Sequence, residues 1–161
     1  MSLNISHPIW TTCGNNSFEV TKAIIQARLL SGRYRSEQLS SHFSPGSSPL
    51  CSICSDSSIG SVEHILVQCS ALAVVRTKHL KHLELRLEIS TESKVLIQSY
   101  LNQSLDSTIK LLLDCSVLPE VILSNQNGKS YIMEEIFWFS RSWCYAMHET
   151  RMKLQGKWKI I

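Results

Sequence analysis

Four residues with metal-binding side chains lie in one short stretch of the chain, at Cys51, Cys54, His64 and Cys69. In their spacing, C-x2-C-x9-H-x4-C, the first two thiolates can reach one ion from a single tight turn. The later histidine and cysteine can complete the four-coordinate shell that zinc prefers in closed, structural sites. The stretch therefore predicts one structural zinc ion bound by these four residues. Two alternatives stay open on the residues alone: buried thiols that bind nothing, or a disulfide.

The segments around these ligands are typical of loops. Residues 44–49 are rich in serine, proline and glycine, and the polar residues 55–60 separate the two ligand pairs. Ser61 is a predicted helix cap, so His64 lies on a short helix. Side chains five residues apart on an α-helix point about 140° away from each other. His64 and Cys69 can therefore share an ion only if this helix ends before Cys69.

Length and composition favour one folded domain. The chain has 161 residues, of which 43% are hydrophobic and 18% are charged, so it holds enough apolar material for a core. We predict an irregular lead-in over residues 1–16 and a single helical domain over 17–161, with the zinc module at 45–70 inside it. The net charge of +3 does not by itself demand a nucleic-acid partner. Such a partner would need a local basic patch.

The remaining cysteines indicate a reducing compartment. Three of the six cysteines belong to the zinc spacing, and the other three, Cys13, Cys115 and Cys144, cannot all pair within one chain. No secretory signal is visible at the N-terminus, and no apolar run is long enough to span a bilayer. These features predict an intracellular protein, nuclear or cytoplasmic, without a membrane partner.

Hydrophobic periodicity predicts a mainly α-helical domain with an embedded CCHC zinc-binding loop module. The first long helix should begin at Ser17 and stop at Gly32, and its apolar residues fall on two sides, as in a helix sandwiched between others. Pro119 and a turn at residues 125–128 break the pattern before the last helix. We predict helices over residues 17–31, 36–42, 71–87, 107–115 and 131–154, and a further one capped by Ser90 or Thr91.

The last predicted helix carries two different faces. A core stripe is predicted at Ile132, Ile136, Phe139, Trp143 and Met147, which fall within one quarter of the helical wheel. Arg141 lies on the opposite side, near Trp138, Tyr145 and Met152. Exposed aromatic side chains around an arginine fit either of two roles, stacking on nucleic acid or packing on a neighbouring polypeptide.

Basic residues beside aromatic ones suggest contacts with nucleic acid. In Arg33-Tyr34-Arg35, two guanidinium groups can clamp a phosphate while the ring stacks on a base. An equally physical alternative is that both arginines bond helix-end carbonyls or pair with Glu37. The basic C-terminal tail, with one tryptophan, is a short and sequence-tolerant patch of the same kind. The candidate nucleic-acid contacts are Arg28, Arg33, Tyr34, Arg35, Arg141, Lys157 and Lys159.

Several segments, taken in order, also carry a family resemblance. They are the run ARLLSGRYR at residues 27–35, the Cys51-x2-Cys54 pair with the later Glu63-His64-Ile65-Leu66-x2-Cys69, and the motifs at residues 112–114, 116–121 and 143–148. This ordered set resembles the zinc-binding domain that follows the reverse-transcriptase domain in non-LTR, or LINE-type, retrotransposons. The resemblance extends from about Ile9 to Trp158, and the ordered set is more specific than the zinc motif alone.

The resemblance implies a detached or truncated C-terminal portion of a reverse-transcriptase polyprotein. Such a region is expected to assist the binding of RNA or DNA near the polymerase. It also implies the polymerase domain of a related polyprotein as a partner. The gap between cysteine and histidine is longer than in retroviral nucleocapsid knuckles, so the binding mode of those modules does not carry over.

No catalytic constellation accompanies the zinc motif. Two-metal polymerisation needs paired carboxylates, and this chain has no Asp-Asp pair. It also lacks a P-loop, a G-x-S-x-G and an H-E-x-x-H motif. Four protein ligands would leave a zinc ion no open position for a catalytic water. The sequence therefore predicts a non-catalytic module. The alternatives are a zinc-stabilised protein-interaction module and a decayed helical fragment without activity.

Overall fold

The fold is mainly helical, with a loop module inserted between its third and fourth helices. The computed structural model describes residues 7–87, 95, 98–99, 102–114 and 129–157, and within them the backbone forms no β-strand. The helices are α1 (Pro8–Thr11), α2 (Ser17–Leu30), α3 (Glu37–Phe43), α4 (Ala73–Leu87), α5 (Leu105–Leu113) and α6 (Lys129–Leu154). The predicted class, a mainly α domain with an embedded Cys/His module, is confirmed.

The long helix α6 is the central element of the core. It packs against α2, α4 and α5 and also reaches the short helical turns beside the Cys/His cluster. Ile136, Phe139, Trp143 and Met147 are all buried, so the described part of the predicted core stripe is confirmed. Burying a stripe of large side chains is what holds a helix of this length on the domain, because helical propensity alone contributes little.

Local capping signals set where the helices begin and end. Asn16, rather than Ser17, caps α2, because its Oδ1 accepts from the backbone N–H groups of Phe18 and Glu19 at 2.8 and 3.1 Å. Gly32 adopts a φ of 68° just past the last helical turn and ends α2 where the sequence predicted. The other boundaries differ from the prediction by about two residues at most for α3, α4, α5 and α6.

The buried face of α2 differs from the two-sided pattern that we predicted. Ile25 and Leu29 are buried, whereas on the other apolar side Ala23 is buried but Ile24 and Leu30 are exposed. Gln26, a polar residue, is fully buried as well. Its Nε2 donates to the carbonyl groups of residues 112 and 113 at 3.4 and 3.2 Å. The end of α5 needs donors for its last carbonyl groups, and a polar residue of α2 supplies them.

The described part of the predicted lead-in, from residue 7 onward, packs against the first long helix and contacts Arg141. Residues 8–11 form α1, and the side chain of Ile9 is only 1% exposed. Arg141 is 3% exposed, and its Nη1 and Nη2 donate to the Oγ1 and the carbonyl oxygen of Thr12 at 2.6 and 2.9 Å. Arg141 was named as a candidate nucleic-acid contact, but the structure places it inside the domain, because α1 and α2 cover this side of α6.

The aromatic neighbours of Arg141 are also partly covered. The ring of Tyr145 meets that of Phe18 edge to face, with ring centroids 5.2 Å apart, and Trp138 is half-buried. Some predictions lie outside the described residues: most of the helix after Ser90, and Cys115, Pro119, the turn at 125–128 and Lys159. Among the helices that the structure describes, none is long and apolar enough to cross a membrane.

We expect Arg141→Ala to lower the free energy of unfolding by about 2 kcal/mol, because Thr12 loses two charge-assisted hydrogen bonds in a buried site. Urea denaturation measures the change. The control is Lys110→Ala, which removes an exposed ion pair with Asp106 and should cost at most about 0.5 kcal/mol. An Arg141→Ala protein of unchanged stability that binds nucleic acid more weakly would contradict this assignment.

Candidate metal centre

The first two cysteines lie in a loop that the backbone closes on itself. Leu50 and Ile59 form an isolated antiparallel bridge. The N–H of Cys51 donates to the carbonyl oxygen of Ser58 at 2.8 Å, and the N–H of Gly60 donates to that of Pro49 at 2.8 Å. These bonds fix the segment 49–60 as a knuckle, which we define by those residues. Both Cys51 and Cys54 project from it into the same small volume.

The other two ligands are brought together by a widened helical turn. Ser61 caps the start of this turn as predicted, since its Oγ accepts from the N–H of His64 at 3.1 Å. Residues His64–Gln68 then form a π-helical turn, in which the N–H of Cys69 donates to the carbonyl oxygen of His64 at 2.7 Å. Such an i→i+5 bond places residue 69 near residue 64 along the axis. The helix ends there, since the ψ of Cys69, 119°, is not helical.

The core holds this turn in place. Ile65 and Leu66 are buried, and the indole Nε1 of Trp143 donates to the carbonyl oxygen of Leu66 at 3.2 Å. A single-turn π-helix leaves backbone groups without their usual partners, and buried ones need replacements. Helix α6 therefore supplies both the apolar packing and one hydrogen bond that the ligand-bearing turn requires.

The four donor atoms fit a single tetrahedral ion. The Sγ atoms of Cys51, Cys54 and Cys69 and a ring nitrogen of His64 all lie within 4.8 Å of one another. The Sγ atoms of Cys51 and Cys69 are 3.9 Å apart, and Sγ of Cys54 is 3.3 Å from Nε2 of His64. A tetrahedral zinc with bonds of about 2.3 Å to sulfur holds two sulfur atoms about 3.8 Å apart. The structure thus brings the four predicted ligands together as a group that could hold a metal ion.

The protonation chemistry of the group also suits a cation. Burial, with the neighbouring thiols of Cys51 and Cys54, raises the pKa of Cys69 to about 12. Burial and the charge of Arg76 lower the pKa of His64 against the opposing effect of Asp56, so its imidazole is neutral and able to ligate at neutral pH. A thiolate in this setting needs a positive charge beside it, which a bound metal ion provides.

Arg76 lies next to the cluster from the first turns of α4. Its Nη2 donates to the carbonyl oxygen of Cys69 at 2.6 Å, and burial lowers its pKa while the nearby Cys69 thiol opposes that shift. A divalent ion with three thiolates has a net charge of −1, which this guanidinium offsets. The sequence already marks Arg76 as unusual, because this charged residue interrupts an otherwise apolar stripe of α4.

The other cysteines do not join the group. Cys13 and Cys144 are buried and free, and burial raises the pKa of Cys144 well above its usual value. None of the five cysteines that the structure describes forms a disulfide. His42 is exposed on α3 and is not part of the group either.

Several predicted nucleic-acid contacts surround one groove beside the knuckle. The groove has a volume of about 780 Å³ and lies where the end of α2, the knuckle and the end of α6 meet. Arg28, Arg33, Arg35 and Lys157 line it and are exposed. Tyr34 also lines it but is buried, so its ring is not free to stack on a base. Serine hydroxyl groups of residues 40, 47, 48 and 52 complete the polar lining.

A shared carboxylate joins the knuckle to α6 at the floor of the groove. Oε1 of Glu37 pairs with Nη2 of Arg151 at 2.9 Å and accepts from Ser52 Oγ at 2.5 Å and from Gln155 Nε2 at 2.8 Å. Burial alone would raise the pKa of Glu37, but the bonds from Ser52 and Arg151 and the arginine charge outweigh it and lower that pKa. Gly60 packs so close to Glu37 that a Cβ added to the glycine would lie 2.9 Å from the Cβ of Glu37.

The sequence analysis did not predict this network, although the spacing of two of its members indicated that they share a helix face. Arg151 and Gln155 are four residues apart and therefore lie on one face of a helix. Nothing in the sequence indicated that this face meets Glu37 and Ser52, which come from two other segments. The network also excludes the alternative that Arg33 and Arg35 pair with Glu37, because the carboxylate of Glu37 pairs with Arg151 instead.

The groove therefore carries a strong excess of positive charge. Among the described residues that line it there are five cationic side chains and one carboxylate, and that carboxylate is paired with the buried Arg151. Within the part of the chain that the structure describes, Arg28, Arg33, Arg35 and Lys157 have no carboxylate partner. Four unpaired cations around a concave surface create a local positive potential. The overall charge of +3 did not show it, because charge elsewhere on the chain offsets it.

Comparisons of this chain with family models, curated proteins and solved structures found no match. The geometry of the Cys/His cluster and of the groove is therefore the basis for a functional proposal.

We expect purified protein to hold one metal ion per chain, and chelation to lower its melting temperature. With free zinc about 1,000-fold above its Kd, binding adds about 4 kcal/mol of stability. For a domain of this size that corresponds to roughly 10 °C. Native mass spectrometry and thermal scans with and without chelator measure both effects. Cys54→Ser should abolish them, whereas Cys13→Ala should retain the metal. A melting temperature that chelation leaves unchanged would show that the four residues bind nothing.

We expect Arg76→Met to weaken metal affinity about tenfold, because the charge that offsets the three thiolates is lost while the side-chain stem is kept. Competition with a chromophoric chelator measures the affinity. The control, Lys78→Met, removes the same charge from an exposed position on the same helix. Equal losses in the two variants would mean that only the overall charge matters.

Proposed function

We propose that this chain is a non-catalytic, zinc-stabilised helical module that binds nucleic acid. One observation carries the proposal: the groove beside the Cys/His cluster is lined by four exposed cations that have no acidic partner among the described residues. Phosphate backbones dominate the affinity of nucleic-acid-binding proteins, and they are recognised by arginine and lysine side chains together with hydroxyl groups.

Zinc is the ion that suits the donor set. Three thiolates and one imidazole at tetrahedral spacing are ligands that zinc prefers, while magnesium and calcium prefer oxygen ligands. Four protein ligands complete the shell, so the ion has no open position at which to activate water. The proposed role of the metal is therefore structural. It contributes folding energy to the knuckle, whose own residues bury little apolar surface.

The metal and the groove depend on the same segment of chain. Ser52 lies between the ligands Cys51 and Cys54, lines the groove, and donates to Glu37. Glu37 in turn positions Arg151, whose Nη1 donates to the hydroxyl of Tyr34 and the carbonyl oxygen of Arg35, both at 3.3 Å. A bound ion that fixes the knuckle would thereby also fix the segment that carries Arg33 and Arg35.

The relationship to non-LTR retrotransposon reverse transcriptases is part of this proposal. Segments that carry the resemblance meet in the structure. Trp143 donates to the carbonyl oxygen of Leu66 in the Glu-His-Ile-Leu motif, and Nδ1 of His148 lies 3.0 Å from the hydroxyl of Tyr34 in the Arg-Tyr-Arg motif. We further propose the polymerase domain of a related polyprotein as the neighbour beside which the module holds RNA or DNA.

A docking role on another protein is the second candidate, and one observation favours it. Leu50 and Ile59 pair across the knuckle, and both apolar side chains are exposed. A protein partner would cover this pair and would bind with little dependence on salt, whereas nucleic acid releases counterions from the basic groove.

We expect the double variant Arg33→Gln, Arg35→Gln to weaken binding of a mixed-sequence oligonucleotide. The slope of log affinity against log salt should also fall by about 1.5, since each phosphate contact contributes about 0.7 to 0.9 to that slope. Fluorescence anisotropy at several salt concentrations measures both. The control is Lys78→Gln, Lys81→Gln, which removes two exposed charges from α4. Wild-type binding without salt dependence, or equal slopes in the two double variants, would contradict a phosphate-binding groove.

A further inference from the structure

The aromatic side chain of Phe43, close to the basic groove, is largely exposed. Phe43, the last residue of α3, is 79% exposed, compared with 44% for Trp10 and 50% for Phe18. Phe18 is partly covered by its contact with Tyr145. Phe43 makes no ring contact with another aromatic side chain within the described residues. Exposing a phenyl ring to this extent costs stability that burial would otherwise provide.

The ring borders a recess that adjoins the groove. The recess has a volume of about 300 Å³, and Arg33, Arg35 and Ser40 line both it and the groove. Leu39, Phe43 and Ser44 form its remaining walls. The same two arginines therefore line both the polar groove and the recess that Phe43 borders.

We infer that the groove takes single-stranded nucleic acid, with backbone phosphates at Arg33 and Arg35 and one unpaired base stacked on Phe43. The inference rests on the proposed function and names its substrate class. Aromatic side chains stack on bases of any sequence, because every base has a π-face, and arginine beside the ring adds a charge contact with the phosphate. In a duplex the base faces are already stacked on one another, so an exposed phenyl ring gains nothing there.

The arrangement also predicts which properties of the ligand matter. The recess offers the phenyl ring, two guanidinium groups and two serine hydroxyl groups. Stacking and phosphate contacts do not distinguish the four bases, so sequence preference should be weak. They also place no demand on the sugar, so single strands of RNA and of DNA should bind alike.

The test compares four labelled probes of about 12 nucleotides: a mixed-sequence DNA strand, its RNA counterpart, its duplex, and a strand with the same phosphates in which central positions are abasic. Anisotropy titrations use wild-type protein, Phe43→Ala, Phe43→Leu, Phe43→Tyr and, as a control on another exposed apolar residue, Val74→Ala. Far-ultraviolet circular dichroism and metal content confirm that each variant is folded.

We expect the wild-type protein to bind both single strands more tightly than the duplex or the abasic strand. Phe43→Ala and Phe43→Leu should lose about tenfold on the base-containing single strands, with an unchanged salt slope, and should no longer distinguish them from the abasic strand. Phe43→Tyr and Val74→Ala should behave as the wild-type protein does.

Two results would overturn the inference while leaving the proposed function intact. One is salt-dependent binding in which the duplex equals or exceeds the single strand. The other is single-strand binding that Phe43→Ala does not change, which would show that no base stacks on the ring. If no probe binds with a salt dependence that the arginine pair controls, the proposed function itself fails, and the inference fails with it.

Discussion

His64 and Cys69 are five residues apart, and an ordinary α-helix would point their side chains in divergent directions. The π-helical turn over His64–Gln68 removes this conflict by closing an i→i+5 hydrogen bond from Cys69 to His64. Its carbonyl group at Leu66 then needs a new donor, which Trp143 of α6 supplies. The Cys/His cluster thus depends on the central helix of the core, and a substitution in that helix can alter the cluster without touching a ligand.

The carboxylate of Glu37 is the second point on which the arrangement depends. It accepts from Ser52 of the knuckle, from Gln155 and from Arg151 of α6. A buried ion pair contributes little net stability by itself, because removing both charges from water is costly. Its consequence here is geometric. It fixes three segments together, and it neutralises the one carboxylate that lines the groove among the described residues. The exposed cations around the groove therefore keep their full charge for a ligand.

Much of this organisation was predictable from local patterns. Ligand spacing identified Cys51, Cys54, His64 and Cys69, helical periodicity identified the stripe from Ile136 to Met147, and Gly32 marked the end of α2. Arg141 shows where such reasoning stops. A helical wheel separates the two sides of α6 correctly, but it does not tell which side another element covers. Helix α1, a turn too short to be recognised by periodicity, covers the side on which Arg141 lies.

The sequence by itself determined the chemistry that is available: three thiols and an imidazole at ligand spacing, a cluster of arginines after α2, and apolar stripes that make helices. These are properties of spacing along the chain, and local geometry converts spacing directly into proximity. The tertiary structure alone decided which charges are buried. Arg141 and Arg151 have partners inside the domain, while Arg28, Arg33, Arg35 and Lys157 face a groove. The physical reason is that a charge is neutralised only by groups that folding brings to it from distant segments, and no local pattern encodes those contacts.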